Sequence, residues 1–157
     1  MTYVFDTNSL SNILNHYYPD RFPSFWARYA TAANSGMLLS VSEVRHELAR
    51  RFEASEIARL TQQSRGFFRD PTAPELDFVR RIYSVRHFQQ NLDKKKLLVG
   101  GPFADPFLIA SASVLRGTVV TEEELKKNGA RIPNICEHFQ VKWLSLEGFL
   151  CAEDWVF

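Results

Sequence analysis

The chain has 157 residues, 45% of them apolar, and a formal net charge of +1; that is enough for one buried core of ordinary domain size, and it excludes a globally basic nucleic-acid coat. No run of about 18 uncharged apolar residues is present to cross a bilayer, and no basic flank precedes an apolar N-terminal segment, so the expectation is no membrane contact, no secretory signal and a cytoplasmic location. Cys136 and Cys151 are too few and too far apart for a metal knuckle and read as reduced thiols.

In chain order, Tyr3-Val4-Phe5 is a short apolar strand that stops at Asp6, and Thr7-Asn8-Ser9 leads into a helix-length segment over 9–17. A second helix is predicted over 22–34. After the Ser35-Gly36 breaker, Met37-Leu38-Leu39-Ser40-Val41 is the next strand, and Ser42 is a natural N-cap for a helix over 43–53, followed by another over 54–68. Pro71, Pro74, the run Lys94-Lys95-Lys96 and Gly100-Gly101-Pro102 mark 69–103 as an irregular excursion around one helix at 75–90. Asp105-Pro106 has the pattern of an N-cap and first helical residue, and the run beyond it is almost wholly apolar or small, which predicts a buried helix over 104–116. Gly117 precedes the β-branched strand Thr118-Val119-Val120-Thr121, and Val141-Lys142-Trp143-Leu144 is a fourth strand. Strands alternating with helices need crossover connections. The expected fold is therefore α/β, a three-layer α/β/α sandwich with a central, mostly parallel sheet, formed as a single domain over 1–157.

In such a sheet, ligands bind beyond the carboxyl ends of the strands, and four segments put acids there. Asp6 directly follows the first strand. Glu43 and Glu47 lie four residues apart on one helix face after the second. Glu43 is explained by the helix dipole in the first turn, whereas Glu47, further in, is not, so Glu47 ranks first. Asp105 starts a buried helix, which delivers its carboxylate to the sheet edge. Glu122, Glu123 and Glu124 crowd one strand end, where like charges repel unless a cation relieves them. Each acid alone is explained by helix capping; their conjunction is harder to explain that way. Carboxylates with hydroxyl and amide neighbours make an oxygen-ligand site suited to Mg²⁺ or Mn²⁺, one ion or two, and to phosphodiester hydrolysis.

Val4-Phe5-Asp6-Thr7-Asn8, Glu47-Leu48 after a strand, Ala104-Asp105 through Leu108-Ile109-Ala110, and Val119-Val120-Thr121 followed by acids together resemble the PIN-domain nucleases, among them the VapC-like toxin ribonucleases, with the longer tail of a distinct subfamily. The resemblance implies a PIN-like fold and an acidic pocket for Mg²⁺ or Mn²⁺. It carries Asp6, Glu47 and Asp105 onto the family's main acids and Asn8 and Thr121 onto its polar supports. The family's fourth acid points to Glu123, with Glu122, and Glu43 on the second segment, as substitutes. In the mechanism expected from it, Asp6 and Asp105 bind metal directly, while Glu47 and Glu123 bind through water or orient the attacking water. A small antitoxin protein is the expected partner, and a homodimer is a further expectation.

The expected substrate is RNA, single-stranded or looped, because a flexible strand can bring one phosphate down to a sheet-edge pocket. Its flanking phosphates are assigned to Arg45, Arg50, Arg51, Lys94, Lys95 and Lys96; six cations against one acid, Asp93, lie between Arg80 and Lys96. His46 and His87 are read as surface or packing residues. A phosphatase of the Asp-x-Asp class is disfavoured because Asn8 stands where the second acid is needed. The rival of another class is a catalytically idle PIN-like scaffold that binds RNA or a partner protein.

Overall fold

Three consecutive apolar residues buried on both faces make a central strand, and the computed structural model, which describes residues 1–89, 93 and 103–157, builds its sheet around one of these. β1 (Tyr3–Phe5) pairs in parallel with β2 (Leu38–Val41) on one side and with β4 (Thr118–Val120) on the other, with Tyr3 opposite Leu38 and Thr118. β3 (Phe68–Arg69) adds to β2 and β5 (Lys142–Leu144) adds to β4, giving the all-parallel order β3-β2-β1-β4-β5. β1, β2 and β4 are buried along their length, while the edge strands β3 and β5 are partly exposed.

The chain runs outward from β1 to β2 and β3, then returns to the other side of β1 for β4 and β5. Strand order therefore reverses at β1 and β4, and the crossover helices there leave in opposite directions and open a crevice at the carboxyl edge. α1 (Thr7–His16) leaves β1, α3 (Ser42–Leu48) leaves β2, and α6 (Asp105–Leu115) enters the same edge before β4. α6 packs on β1, β2 and β4 and on α5 (Ala73–Ser84). Elsewhere α2 (Pro23–Asn34) packs on β2, and α7 (Ile132–Phe139) and α8 (Leu146–Ala152) pack on β5. An aromatic chain ties this part of the core together: Phe149 meets Tyr3, Phe5 and Trp155 edge-on, and Trp155 meets Phe25.

Several expected boundaries move. The helix expected over 54–68 is α4 (Ala54–Thr61), ended by Gln62 and Gln63 at φ 48° and 64°, a left-handed turn that frees Phe67 to be buried and Phe68 to pair as β3. The helix expected over 43–53 stops at Leu48. Asp105 is the first helical residue of α6, not its N-cap, which is Ala104. β3, α7 and α8 go beyond the elements expected, although Pro133 in the first turn of α7 and Ser145, whose Oγ accepts the Gly148 N–H (3.0 Å), are ordinary helix-start signals. No helix among the described residues is long and apolar enough to cross a membrane.

Candidate metal centre

Asp6 occupies the position that the crevice requires. β1 ends one residue earlier, and Asp6 becomes the N-cap of α1, so its Oδ1 accepts the Ser9 N–H at 2.7 Å. The capping expected of such an acid is thus present. Its second oxygen faces across to β4: Thr121, fully buried one residue past that strand, donates its hydroxyl to Asp6 Oδ2 at 2.6 Å. Asp6 is only 4% exposed, and burial pushes its carboxyl up to about 6. The Thr121 and Ser9 hydrogen bonds oppose that rise, and the nearby Glu123 charge adds to it.

Glu47 reaches the same place from the last turn of α3. Its Oε1 accepts the Thr7 hydroxyl at 3.2 Å. Desolvation by burial raises its pKa, the Thr7 hydrogen bond, Arg50 and the Ala104 backbone amide work against this, and Asp6 adds repulsion. Three separated segments, 6–7, 47 and 104, thus meet through one carboxylate. Asp105, at the start of α6, and Glu123 complete the acidic wall. One cleft of about 420 Å³ is lined by Asp6, Thr7, Asn8, Glu47, Arg50, Arg51, Phe103, Asp105, Glu123 and Ile132.

The structure separates the sequence candidates. Asp6, Glu47, Asp105 and Glu123 share the cleft, with Asn8 on its wall and Thr121 behind Asp6. Glu122 turns away: its Oε1 accepts the Leu146 N–H at 2.7 Å, at the start of α8. Glu43 faces other groups, with its carboxyl raised chiefly by burial and by the charges of Asp70 and Glu75 beside it, against the opposing effect of His46. Neither substitute acid lines the cleft. Arg50 and Arg51 are on the cleft wall, the latter with Nη2 3.5 Å from Ser11 Oγ, whereas Arg45 is exposed on α3 outside it. Lys94, Lys95 and Lys96 lie outside the described residues.

Three further residues line the cleft beyond those the sequence singled out. Thr7, adjacent to Asp6, was open to inference as the first hydroxyl after the strand. Phe103, two residues before Asp105, carried a weaker signal. Ile132 carried none, since only the folded path of 123–132 brings it in: Glu123 Oε2 accepts the Ile132 N–H at 2.8 Å. Glu123 therefore faces the cleft and also holds the first turn of α7.

The cleft's donor set is carboxylate, amide and hydroxyl oxygen, the chemistry of Mg²⁺ and Mn²⁺ sites. Among the described residues no three His, Cys, Asp or Glu side chains are gathered tightly enough to hold an ion as they stand. Mg²⁺ asks less than that, since it keeps several waters and is bound through one or two carboxylates. Asp6 fits that role, with Asp105 lining the same cleft: Asp6 is nearly buried, and the groups that favour its charged form are a hydroxyl and a backbone amide, which leave its negative charge in place.

No curated protein matches the chain. Among solved structures, the chain is similar to a chain of VapBC2 from Rickettsia felis, crystallised bound to a DNA fragment from their promoter: 17% identity, a TM-score of 0.51, and coverage of 92% of this chain and 98% of that one. At that identity the likeness is one of fold, and it agrees with the expected α/β/α sandwich with a parallel sheet and with the PIN-like fold that the family resemblance implies. Residues 3–157 match the family described as Domain of unknown function (DUF4411), and the chain belongs to that family.

Proposed function

We propose that this protein is a cytoplasmic, metal-dependent ribonuclease of the PIN type that hydrolyses RNA phosphodiester bonds, and that it acts as the toxin of a toxin–antitoxin pair. One observation carries the reading: carboxylates from four separate segments, Asp6, Glu47, Asp105 and Glu123, line one cleft at the point where strand order reverses. The fold likeness to VapBC2, a two-component assembly by its name, supports the partner half of the proposal.

Asp6 and Asp105 would hold Mg²⁺ or Mn²⁺. The ion, when bound, makes a water more acidic and stabilises the charge on the leaving oxygen in an in-line displacement at phosphorus. Glu47, held by the Thr7 hydroxyl and raised in pKa by burial, takes a proton from the attacking water. Glu123 orients that water from the cleft wall while its Oε2 keeps the Ile132 amide. Arg50 and Arg51 draw the phosphates flanking the scissile one to the cleft that they line. The antitoxin supplies a basic segment to the acidic wall, where a charge-assisted hydrogen bond neutralises it.

The test is cleavage of single-stranded RNA with Mn²⁺ or Mg²⁺, with chelator, and by Asp6→Asn. Chelator abolishes cleavage, and Asp6→Asn lowers kcat by at least about 100-fold, as loss of a charge-stabilising group at the reacting centre does. Cleavage indifferent to both refutes the metal mechanism. Binding of RNA with no cleavage at any metal concentration selects the rival reading, an idle PIN-like scaffold.

A further inference from the structure

Glu122 is a strand-end acid that the cleft does not take up, and its contacts give it another role. Thr121 N–H donates to Leu144 O at 2.9 Å, continuing the β4–β5 ladder by one residue. Next along the chain, Glu122 Oε1 accepts the Leu146 N–H at 2.7 Å. These two bonds clamp 121–122 onto 144–146. From that clamp, Thr121 Oγ donates to Asp6 Oδ2 at 2.6 Å and accepts the Glu123 N–H at 3.1 Å, while Glu123 Oε2 accepts the Ile132 N–H at 2.8 Å. Two adjacent acids thus diverge to two different helix starts, which relieves their mutual repulsion and fixes the backbone between them.

Resting on the metal-dependent reading of the cleft, we propose that Glu122 is a positioning residue: its grip on the Leu146 amide holds the 121–123 backbone so that the Thr121 hydroxyl meets Asp6 and Glu123 faces the cleft. The helix itself does not need this bond. Ser145 already caps α8 through the Gly148 N–H at 3.0 Å, and Phe149 anchors it against Tyr3, Phe5 and Trp155. What Glu122 supplies is a second fixed point for the strand end, one residue from the threonine that orients Asp6. Outer-shell partners of this kind tune metal affinity and rate through the ligands they hold.

The experiment uses the full chain and its Glu122→Ala and Glu122→Gln variants, with Mn²⁺ affinity by calorimetry, kcat and KM on single-stranded RNA, and thermal unfolding of each. Glu122→Ala weakens Mn²⁺ binding and lowers kcat on the order of fivefold, less than the 10- to 100-fold of a direct second-layer partner, while KM stays within about twofold. Glu122→Gln, whose amide oxygen accepts the same N–H, restores most of both. Mn²⁺ affinity and kcat of Glu122→Ala both near those of the parent overturn the proposal, as does a Gln variant no better than Ala. If the Ala variant does not fold, Glu122→Asp, too short to reach the Leu146 amide, replaces it; the same loss supports the proposal and parent-like values overturn it. A parent that binds Mn²⁺ through Asp6 yet cleaves no RNA refutes the nuclease reading alone, because the affinity arm still decides Glu122. A parent that binds no Mn²⁺ overturns both.

Discussion

Asp6 carries two demands that pull its protonation in opposite directions: burial favours the neutral acid, while the Ser9 amide and the Thr121 hydroxyl favour the carboxylate. Burial prevails, and the carboxyl titrates at about 6 against an ordinary value of 3.8. Because the folded value is the higher one, between about pH 4 and 6 the folded chain holds a proton that the unfolded chain has released. This group's contribution to stability is therefore greatest in acid and falls as pH rises through that window, by up to about 3 kcal/mol for a rise of this size. Asp6→Asn, which cannot ionise, is expected to raise the unfolding temperature at pH 7.5 in chelator by several degrees, with the gap closing at pH 4.5. Thermal scans at the two pH values check this, and a gap independent of pH removes the buried-carboxylate account. At this scale Asp6 and Asp105 were legible in the sequence because they stand at a strand end and a helix start, and Glu47 because it lies too far into its helix for the dipole to explain it. Glu123 was not separable from Glu122, since the choice depends on which of two distant amides, Ile132 or Leu146, each side chain meets.

At the level of elements, the strands and long helices were readable from apolar runs and breakers, and the misses have local causes. β3 is two residues long, and no periodicity is visible in so short a segment; it exists because β2 offers Ser40 and Val41 as partners for Phe68 and Arg69. α7 and α8 are eight and seven residues long, about two turns each, too short for a helical period to stand out in the sequence. The placement of β4, which leads into Thr121, depends on a close backbone approach at Gly117. A Cβ there would stand 2.6 Å from Thr2 O, the same carbonyl that accepts the Thr118 N–H at 2.9 Å. Gly117→Ala must push β4 from β1 or break that hydrogen bond, an overpacking cost of about 2 kcal/mol. The expected result is an unfolding temperature lower by about 5 °C, measured by differential scanning calorimetry. An unchanged midpoint shows that the strand start yields without penalty.

For the whole molecule, charge matters by placement and not by sum. A formal net charge of +1 gives no long-range pull on RNA, yet Arg50 and Arg51 share a cleft with four carboxylates. Binding of single-stranded RNA, measured in chelator so that no cleavage intervenes, is expected to weaken with salt. The Arg50→Ala, Arg51→Ala double variant is expected to show a slope of log affinity against log salt that is shallower by about 0.7 for each phosphate the two arginines neutralise in the parent. An unaltered slope places the RNA elsewhere on the surface. The sequence by itself determined the α/β class, the parallel sheet and the strand-end acids, because apolar periodicity and punctuation are local properties of the chain. Only the tertiary structure decided which acids converge, that Glu43 stays out of the cleft, that Glu122 grips α8, and that Thr7 and Ile132 border the cleft. Convergence depends on strand order and on hydrogen bonds such as that from Thr121 to Asp6, 115 residues apart in the chain, and no local pattern encodes those.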